Sequence, residues 1–320
     1  MGSGSYSESG YNNYVTTHRV KQKSMRENFS QTRLHPDMDV RRFNKDVRIN
    51  NTDVPGFVKV CGVRESRVSQ EHPNVFSLLI FCDGTGSMGF IPQKLLQEQF
   101  PKIMNALYEN GIPDPQIAFG MIGDHYSDDV PAQLSQYESN AEKLLPQFQK
   151  LYIESGGGGN GGESYLLGWL IGGYHTECDC WYKNHQKGVL ITIGDEACHN
   201  KVEASALRTM FGYGDGVENM TAKDLLKKAQ EQYNVFHFHM TDGSYGSHAD
   251  TSWKKLLDEE HIICCHSDEV AEKIVKCVLS TYNTDHISES AETENEKQDV
   301  PVSTATESAH STSKHFGIDV

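Results

Sequence analysis

From residue 75 onward, short apolar runs alternate with segments in which apolar residues recur every three or four positions. This alternation of strand-like and helix-like periods predicts a doubly wound α/β fold, with a mainly parallel central sheet flanked by helices. We predict strands over residues 76–82, 117–122, 147–153, 188–194, 233–240 and 261–266. We predict helices over residues 91–110, 163–176, 202–210, 221–232, 251–259 and 268–282. Pro101 should kink the first helix, because proline lacks the backbone donor that a helix interior requires.

The two ends of the chain lack this regular pattern. Residues 1–14 are mostly Gly, Ser, Tyr and Asn with little that could be buried, so we predict that they are disordered. Residues 15–74 are polar and weakly patterned, and we interpret them as an extended arm with one or two strands. Residues 285–320 are rich in Ser, Thr and Glu and have almost no large apolar side chains, a composition typical of disorder. We therefore predict one folded domain over residues 75–284, preceded by a partly disordered arm and followed by a disordered tail.

The formal net charge of −15 is unevenly distributed along the chain. Residues 1–74 carry +4, residues 75–284 carry −13 and residues 285–320 carry −6. The acidic middle segment would repel a phosphate backbone, so we expect it to have no nucleic-acid partner. Only the basic arm could hold a polyanion, and the interpretation that we favour is that the arm docks onto the acidic domain of its own chain.

The composition also bears on the compartment. No stretch approaches the roughly 20 apolar residues that a membrane-spanning helix needs, and the N-terminus has no apolar signal region. The chain contains eight cysteines, several of them inside apolar strand patterns. In a chain without a signal peptide, such cysteines are typical of reduced, buried thiols. We therefore expect a cytoplasmic protein without a membrane partner.

The first candidate for a functional site is the motif Asp83-Gly84-Thr85-Gly86-Ser87, which lies between the first predicted strand and the first predicted helix. Ligands collect at the carboxyl ends of the strands in parallel α/β sheets, so the oxygens of Asp83, Thr85 and Ser87 could meet at one point. Three hard oxygen donors suit Mg²⁺, Mn²⁺ or Ca²⁺ better than zinc. Taken alone, such a motif is more often a tight turn that caps a helix.

Two further loops offer oxygen ligands at the same edge of the predicted sheet. The Gly-rich segment over residues 154–164 contains Asn160 and Glu163, and its six glycines let the backbone approach a ligand closely. It is not a phosphate-binding loop, because no Gly-Lys-Ser/Thr follows. Asp195 comes directly after one predicted strand, and Asp124 follows another and lies at the rim of the same edge.

These loops resemble the metal-ion-dependent adhesion site of von Willebrand factor type A (vWA) domains of the bacterial type, and the resemblance covers about residues 75–284. The family's Asp-x-Ser-x-Ser motif reads Asp83-x-Thr85-x-Ser87 in this chain, with threonine in place of the first serine. The family's last acidic ligand matches Asp195. The resemblance implies the vWA version of the α/β fold for this segment.

The resemblance also implies how the site works. The best-known members carry a threonine on the middle loop, and the candidates for that place are Asn160 and Glu163. Thr85 and Ser87 would bind Mg²⁺, or alternatively Mn²⁺ or Ca²⁺, directly, and the two aspartates would act directly or through water. One coordination position stays open for a carboxylate of a partner protein. We therefore expect a cation-dependent protein-binding module that could serve as a scaffold, and no enzyme.

Two enzymatic interpretations compete with this one. Residues 82–85 are similar to the end of the Asp-x-Asp-Gly-Thr motif of haloacid-dehalogenase-like phosphatases, but Phe81 occupies the position of their nucleophilic aspartate. No phosphoryl-enzyme can form on a phenylalanine. The alternative function is a metal-dependent hydrolase that uses the same strand-tip acids, although no spacing specifically supports it. Its general base would be one of the residues Glu163, Glu196 and His199.

Other His and Cys side chains are weaker candidates. One segment contains several residues that could bind zinc, namely His175, Cys178, Cys180 and His185. Their spacing matches no structural zinc pattern, so a loop with incidental thiols is the simpler interpretation. His237 and His239 share one face of a predicted strand, where we expect hydrogen-bonded core residues under a helix.

Overall fold

The computed structural model describes residues 5–29, 34–42, 48–49, 60–61, 63–112, 114–153, 159–246 and 251–283, and the predicted tail over 285–320 lies outside these ranges. The strands are β1 (Arg48–Ile49), β2 (Val60–Cys61), β3 (Arg64–Ser66), β4 (Phe76–Asp83), β5 (Pro115–Ile122), β6 (Ala132–Leu134), β7 (Thr176–Cys178), β8 (Gly188–Gly194), β9 (Lys201–Val202), β10 (Met220–Thr221), β11 (Tyr233–Met240) and β12 (Ile262–Cys265).

The α-helices are α1 (Glu8–Thr17), α2 (Met25–Asn28), α3 (Ile91–Lys94), α4 (Phe100–Glu109), α5 (Ala141–Phe148), α6 (Tyr165–Tyr174), α7 (Asp179–Tyr182), α8 (Ala204–Phe211), α9 (Ala222–Ala229) and α10 over residues 270–283. Short 3₁₀ turns join several of them. In the part of the chain that the structure describes, no helix combines the length and the apolar character that crossing a membrane requires.

Six strands form the central sheet, in the order β12, β11, β8, β4, β5, β6. Neighbouring strands pair in parallel except β6, which runs antiparallel to β5 at one edge. Helices cover both faces of this sheet, which confirms the predicted doubly wound α/β fold. Five of the six predicted strands are present where the apolar runs predicted them, namely β4, β5, β8, β11 and β12.

The side chains of the central strands alternate between two cores, one on each face of the sheet. In β4, Leu78 and Ile80 belong to the core that contains side chains of α1, α4, α5 and α10. Leu79 and Phe81 belong to the core that contains side chains of α6 and α9. Both faces are shielded from water and every residue of β4 is buried. The strand therefore reads as a continuous apolar run in the sequence.

The strand predicted over residues 147–153 is wrong. Helix α5 enters this segment, and the edge strand of the sheet is the three-residue β6 instead. Leu151 and Ile153 are buried, which explains the strand-like alternation. However, the backbone of Tyr152 donates to Gln133 Oε1 at 2.8 Å and accepts from Gln133 Nε2 at 2.8 Å. The side-chain amide of Gln133 thus pairs with this backbone, and the segment has an isolated bridge at Tyr152 and no strand.

The helix predicted over residues 251–259 is also wrong, and the segment forms a 3₁₀ turn at Trp253–Lys255. The buried indole of Trp253 stacks on the imidazole of His237, with ring centroids 3.4 Å apart and an interplanar angle of 10°. Its Nε1 donates to the carbonyl of Glu196 at 3.0 Å. These tertiary contacts of one tryptophan outweigh the local helical preference of the segment.

Part of the N-terminal arm is ordered, contrary to the disorder predicted for residues 1–14. Helix α1 packs against α4 and α5 through buried tyrosines. The hydroxyl of Tyr14 donates to Gln149 Oε1 at 2.8 Å, and the ring of Tyr6 meets Phe100 edge-on, with centroids 6.0 Å apart. The tyrosines of this segment supply the apolar area that holds it on the domain.

Arg67 accounts for part of the predicted docking of the basic arm onto the acidic domain. Its guanidinium group lies 2.9 Å from Asp179 Oδ1 and 2.9 Å from Glu177 Oε2. The strand just before it, β3, pairs in parallel with β7 of the domain. Opposite charges and a short backbone ladder therefore hold this part of the arm on the domain.

Pro101 interrupts the long helix predicted over residues 91–110, and α3 and α4 are separated by a π-helical turn at Leu95–Gln99. Proline has no N–H, so the carbonyl of Gln97, four residues earlier, lacks the donor that a regular helix would provide. The hydroxyl of Tyr11 donates to the carbonyl of Gln97 at 2.7 Å and supplies that bond. The predicted irregularity is confirmed, and a residue of the arm completes its hydrogen bonding.

We expect Tyr11→Phe to lower the free energy of unfolding by about 1 kcal/mol, because it leaves the carbonyl of Gln97 without this donor. Urea denaturation followed by circular dichroism measures the change. Tyr182→Phe is the matched control, since Tyr182 is an exposed tyrosine on α7. Equal effects of the two substitutions would contradict the role assigned to Tyr11.

Candidate metal centre

Three acidic residues lie at the carboxyl edge of the central sheet. Asp83 is the last residue of β4, Asp195 follows β8 directly, and Asp124 follows β5 by two residues. Strand β4 lies between β5 and β8 in parallel register, with Asp83 opposite Ile122. All three carboxylates are buried. The topology therefore collects buried acids at the edge where parallel sheets bind ligands.

Asp83 organises the loop that follows β4. Its Oδ1 accepts hydrogen bonds from the backbone N–H of Thr85 at 2.8 Å and from the hydroxyl of Thr85 at 2.6 Å. Its Oδ2 accepts from the hydroxyl of Tyr165 at 2.8 Å. A side chain at Gly194 would collide with the ring of Tyr165. The glycine at the end of β8 is therefore what lets the tyrosine reach Asp83.

Ser87 and Asp195 continue the same hydrogen-bonded network. The hydroxyl of Ser87 lies 3.2 Å from that of Thr85 and donates to Asp195 Oδ1 at 2.8 Å. Asp195 Oδ2 accepts the backbone N–H of Tyr245 at 3.0 Å. Four of the six predicted site residues thus lie side by side, namely Asp83, Thr85, Ser87 and Asp195, with each hydroxyl donating to one aspartate and the two hydroxyl oxygens in contact.

Glu163 is held near this network by its own backbone. Its N–H donates to the carbonyl of Ala197 at 2.8 Å, and its carbonyl accepts from the N–H of His199 at 3.1 Å. The residue is 3% exposed, and its Oε2 has no hydrogen-bond partner among the residues that the structure describes. A buried carboxylate oxygen without a partner is destabilising, and a bound cation would offset that cost.

Asn160 is brought to Asp124 and not to the Asp83 network. It is exposed, and its amide nitrogen donates to Asp124 Oδ2 at 2.5 Å. Asp124 also accepts the backbone N–H of Tyr126 at 3.1 Å, and His199 Nε2 lies 2.9 Å from its Oδ1. Asp124 therefore joins three loops. Its position at a strand tip predicted that it lies near the site, but no sequence signal predicted that His199 would contact it.

Burial and mutual repulsion raise the pKa of two acids of the site. Burial raises the pKa of Asp83 to about 7 although hydrogen bonds lower it, and the charge of Asp195 adds to the rise. Burial also raises the pKa of Glu163 to about 10, with the charges of Asp83 and Asp124 as further causes. Acids that resist ionisation in this way are ones that a neighbouring cation would stabilise in their charged form.

The donor set fits a hard divalent cation. Thr85 and Ser87 donate their hydroxyl protons to Asp83 and Asp195, so the hydroxyl lone pairs stay available. Across the described ranges, no three His, Cys, Asp or Glu side chains are arranged to hold a metal by themselves. A cation here would therefore depend on the two hydroxyls. Hydroxyl and carboxylate oxygens suit Mg²⁺, Mn²⁺ or Ca²⁺ better than zinc.

Phe81 excludes the phosphatase interpretation. It stands where such an enzyme carries its nucleophilic aspartate, and it is fully buried. Side chains at Gly120 or Gly168 would collide with its ring, so these glycines make room for it in the core. Phe81, two residues before Asp83, is therefore a packing residue and provides no nucleophile.

A Ser-His-Glu row beside the site has a structural role. Ser164 Oγ lies 2.6 Å from His125 Nδ1, and His125 Nε2 lies 3.3 Å from Glu203 Oε2. Ser164 is fully buried, and its oxygen accepts the backbone N–H of His125 at 2.9 Å. Its hydroxyl cannot reach a substrate, so the row fastens the loop after β5 to the start of α6 and α8.

Of the other His and Cys candidates, His185 is exposed, and the rest lie in the core, namely His175, Cys178, Cys180, His237 and His239. His175 Nε2 is 2.8 Å from the hydroxyl of Tyr213, and Cys178 Sγ is 3.0 Å from the hydroxyl of Tyr233. Among the cysteines whose side chains the structure describes, all are free and all except Cys264 are buried. The imidazole of His175 and the thiol of Cys178 therefore pack against hydroxyl groups of the core.

No protein-family model and no curated protein matches the chain. Among solved structures, the chain is similar to the vWF domain of the type V pili tip protein Mfa5 from Porphyromonas gingivalis, with a TM-score of 0.42 and 10% identity over 64% of this chain and 94% of that chain. It is also similar to the pilus adhesin SpaC from Lactobacillus rhamnosus GG in an open conformation, with a TM-score of 0.42 and 9% identity over 72% of this chain and 35% of that chain. A likeness this distant does not assign any chemistry to the site, which has to be inferred from the side chains of this chain.

We expect Asp124→Asn to lower the free energy of unfolding by about 2 kcal/mol, because hydrogen bonds to a charged acceptor contribute more than those to a neutral one. Urea denaturation in the presence of a chelator measures the change without a contribution from cation binding. Asp129→Asn is the matched control, since Asp129 is an exposed acid on the same loop. A similar loss in both variants would show that Asp124 does not hold the loops together.

Proposed function

We propose that this chain is a divalent-cation-dependent protein-binding module of the vWA type, in which a carboxylate of a partner protein completes the coordination of the cation. The observation that carries the proposal is the row formed by Asp83, Thr85, Ser87 and Asp195, in which each hydroxyl donates to one aspartate, beside the unpartnered oxygen of Glu163. Mg²⁺ is the cation that we propose, and the same oxygens could hold Mn²⁺ or Ca²⁺.

The side chains of the site have different parts in this proposal. Thr85 and Ser87 would bind through their hydroxyl oxygens, because their protons are directed to the two aspartates. Asp83 and Asp195 would contribute negative charge, directly or through water. A bound cation would supply a Lewis-acidic position for an incoming carboxylate. Such binding needs no proton transfer and no covalent step, so we propose a binding function without catalysis.

The ligand from the Gly-rich loop in this proposal is Glu163. Asn160 is exposed, and its amide nitrogen is engaged with Asp124. Glu163 has a buried oxygen without a partner in the described part of the chain, and it lies close enough to Asp83 for the two charges to interact. These contacts support Glu163 over Asn160.

The net charge and the thiols of the chain support a class of partner and a compartment for the module. The charge of −13 on residues 75–284 supports a protein partner over a nucleic acid. The free, mostly buried thiols support a reducing compartment, and we propose the cytoplasm. A module that binds acidic partners through one open position could act as a scaffold in a larger complex.

Mg²⁺ should raise the melting temperature of the wild-type protein as its concentration increases, because a ligand that binds only the folded state stabilises it by mass action. Ser87→Ala should remove most of this rise, since it deletes a proposed direct ligand. Ser205→Ala, which removes an exposed hydroxyl on α8, should leave it unchanged. Differential scanning calorimetry gives the three values, and a wild type that responds to none of Mg²⁺, Mn²⁺ and Ca²⁺ would refute the cation site.

Glu163→Gln should weaken Mg²⁺ binding about tenfold or more, because it removes a charged ligand but keeps the size of the side chain. Asn160→Ala should change the affinity less than about threefold, since its amide already bonds to Asp124. Isothermal titration calorimetry measures both dissociation constants. The opposite ranking would assign the ligand from the Gly-rich loop to Asn160.

A panel of phosphoester and peptide substrates distinguishes the proposed binding module from a metal-dependent hydrolase. We expect no turnover by the wild-type protein in the presence of Mg²⁺. Turnover that Asp195→Asn abolishes would instead establish a metal-dependent hydrolase at the same acids.

A further inference from the structure

Exposed aromatic side chains are concentrated around the candidate metal centre. Within the described ranges, the large hydrophobic side chains that face water are Phe90 (70% exposed), Tyr126 (53%), Tyr182 (57%) and Tyr245 (50%). Phe90 and Tyr126 stand on loops that also carry acids or hydroxyls of the site, and Tyr245 stands on the loop after β11, which is hydrogen-bonded to Asp195. We refer to these three residues as the aromatic rim. Aromatic residues gathered on one exposed surface are typical of an interaction site.

Tyr245 is fastened to two residues of the candidate metal centre. Its backbone N–H donates to Asp195 Oδ2 at 3.0 Å. The preceding residue, Ser244, donates to the carbonyl of Ser87 through its N–H at 3.1 Å and through its hydroxyl at 3.0 Å. The turn that presents this ring is therefore tied to the loops after β4 and β8.

Tyr126 is fixed at both of its ends. Its backbone N–H donates to Asp124 Oδ1 at 3.1 Å, and its hydroxyl donates to Glu203 Oε1 at 3.0 Å. Its ring meets His199 edge-on, with centroids 4.9 Å apart and an interplanar angle of 85°. The ring is held in place although half of it is exposed.

Phe90 is exposed because its neighbours are anchored in the core. Met88 and Ile91 on either side are buried. Gly89 adopts a φ of +53°, a left-handed conformation that glycine reaches without strain. The backbone is thus turned so that Phe90 remains at the surface, three residues after Ser87.

We infer that the aromatic rim binds apolar side chains that flank the acidic side chain of a partner protein. This inference rests on the proposed function, because the acid is placed by the cation. Aromatic residues contribute much of the binding energy at protein interfaces. The backbone bonds of Tyr126 and Tyr245 fix the rim before binding, so little conformational entropy is lost when a partner docks. The partner surface is therefore an acid set between apolar residues.

Charge complementarity decides between this partner and other occupants. With a cation bound, the open position attracts a negative group. Without a cation, carboxylates ringed by aromatics would instead suit a lysine or another cationic group. Single strands of nucleic acid also stack on aromatics, but the charge of −13 on residues 75–284 repels their phosphates.

Four blocked tripeptides serve as probes for the inference: Leu-Glu-Leu, Gly-Glu-Gly, Leu-Gln-Leu and Leu-Lys-Leu. Each is titrated into the full-length chain with and without Mg²⁺, and ligand-observed NMR gives the dissociation constants. With Mg²⁺, Leu-Glu-Leu should bind about tenfold more tightly than Gly-Glu-Gly, because two leucine side chains are partly buried on the rim. Leu-Gln-Leu and Leu-Lys-Leu should bind more weakly than Leu-Glu-Leu.

Substitutions in the rim test which residues produce the preference. Phe90→Ser and Tyr245→Ser should each reduce the advantage of Leu-Glu-Leu over Gly-Glu-Gly to about threefold or less. Tyr182→Ser, the matched exposed aromatic outside the rim, should keep it. All three variants should retain the rise in melting temperature with Mg²⁺, because none of these side chains is a proposed metal ligand.

The outcomes separate the inference from the function on which it rests. If Mg²⁺ fails to stabilise the wild type, the proposed function is wrong. If Mg²⁺ stabilises it but the rim variants keep the full peptide preference, or Leu-Glu-Leu and Gly-Glu-Gly bind equally, the inference alone is overturned. Tighter binding of Leu-Lys-Leu than of Leu-Glu-Leu in Mg²⁺ would overturn it in favour of a cationic partner.

Discussion

The burial of carboxylates at the tips of three adjacent parallel strands is the constraint on which the rest of the structure depends. A buried charge is tolerated only where donors surround it, and here the donors come from distant segments. Tyr165 reaches Asp83 from α6, and the loop after β11 reaches Asp195 through the N–H of Tyr245. Satisfying the acids therefore fixes the positions of the loops, and the edge of the sheet becomes one connected surface.

Two of these aspartates have different roles because their donors differ. Asp124 receives hydrogen bonds from a backbone N–H and from the amide of Asn160, with His199 beside it, so its oxygens are fully engaged in holding loops together. Asp83 also accepts three hydrogen bonds, but one of them comes from the hydroxyl of Thr85, whose oxygen keeps its own lone pairs. The first arrangement is closed, whereas the second presents oxygen atoms to a further ligand.

The strands could be predicted because β4 and its neighbours are buried on both faces and read as apolar runs. The motif from Asp83 to Ser87 could also be predicted, since its residues are adjacent in sequence and parallel topology places Asp195 beside them. The pairing of Tyr152 with the side chain of Gln133 is a tertiary contact that leaves no local period. Helix α1 was missed for a related reason, since tyrosines that look polar in sequence become apolar contacts when a surface is present to receive them.

The position of β4 in the sheet also has a consequence for how the chain folds. One of its neighbours, β5, is the next strand of the sheet along the chain, but the other, β8, begins more than 100 residues later. Pairing between such distant segments is slow to form. Helix α1 depends on the carbonyl of Gln97 and the side chain of Gln149 for its contacts. During synthesis, α1 leaves the ribosome before the segments on which it docks, so its tyrosine face stays uncovered until they have folded.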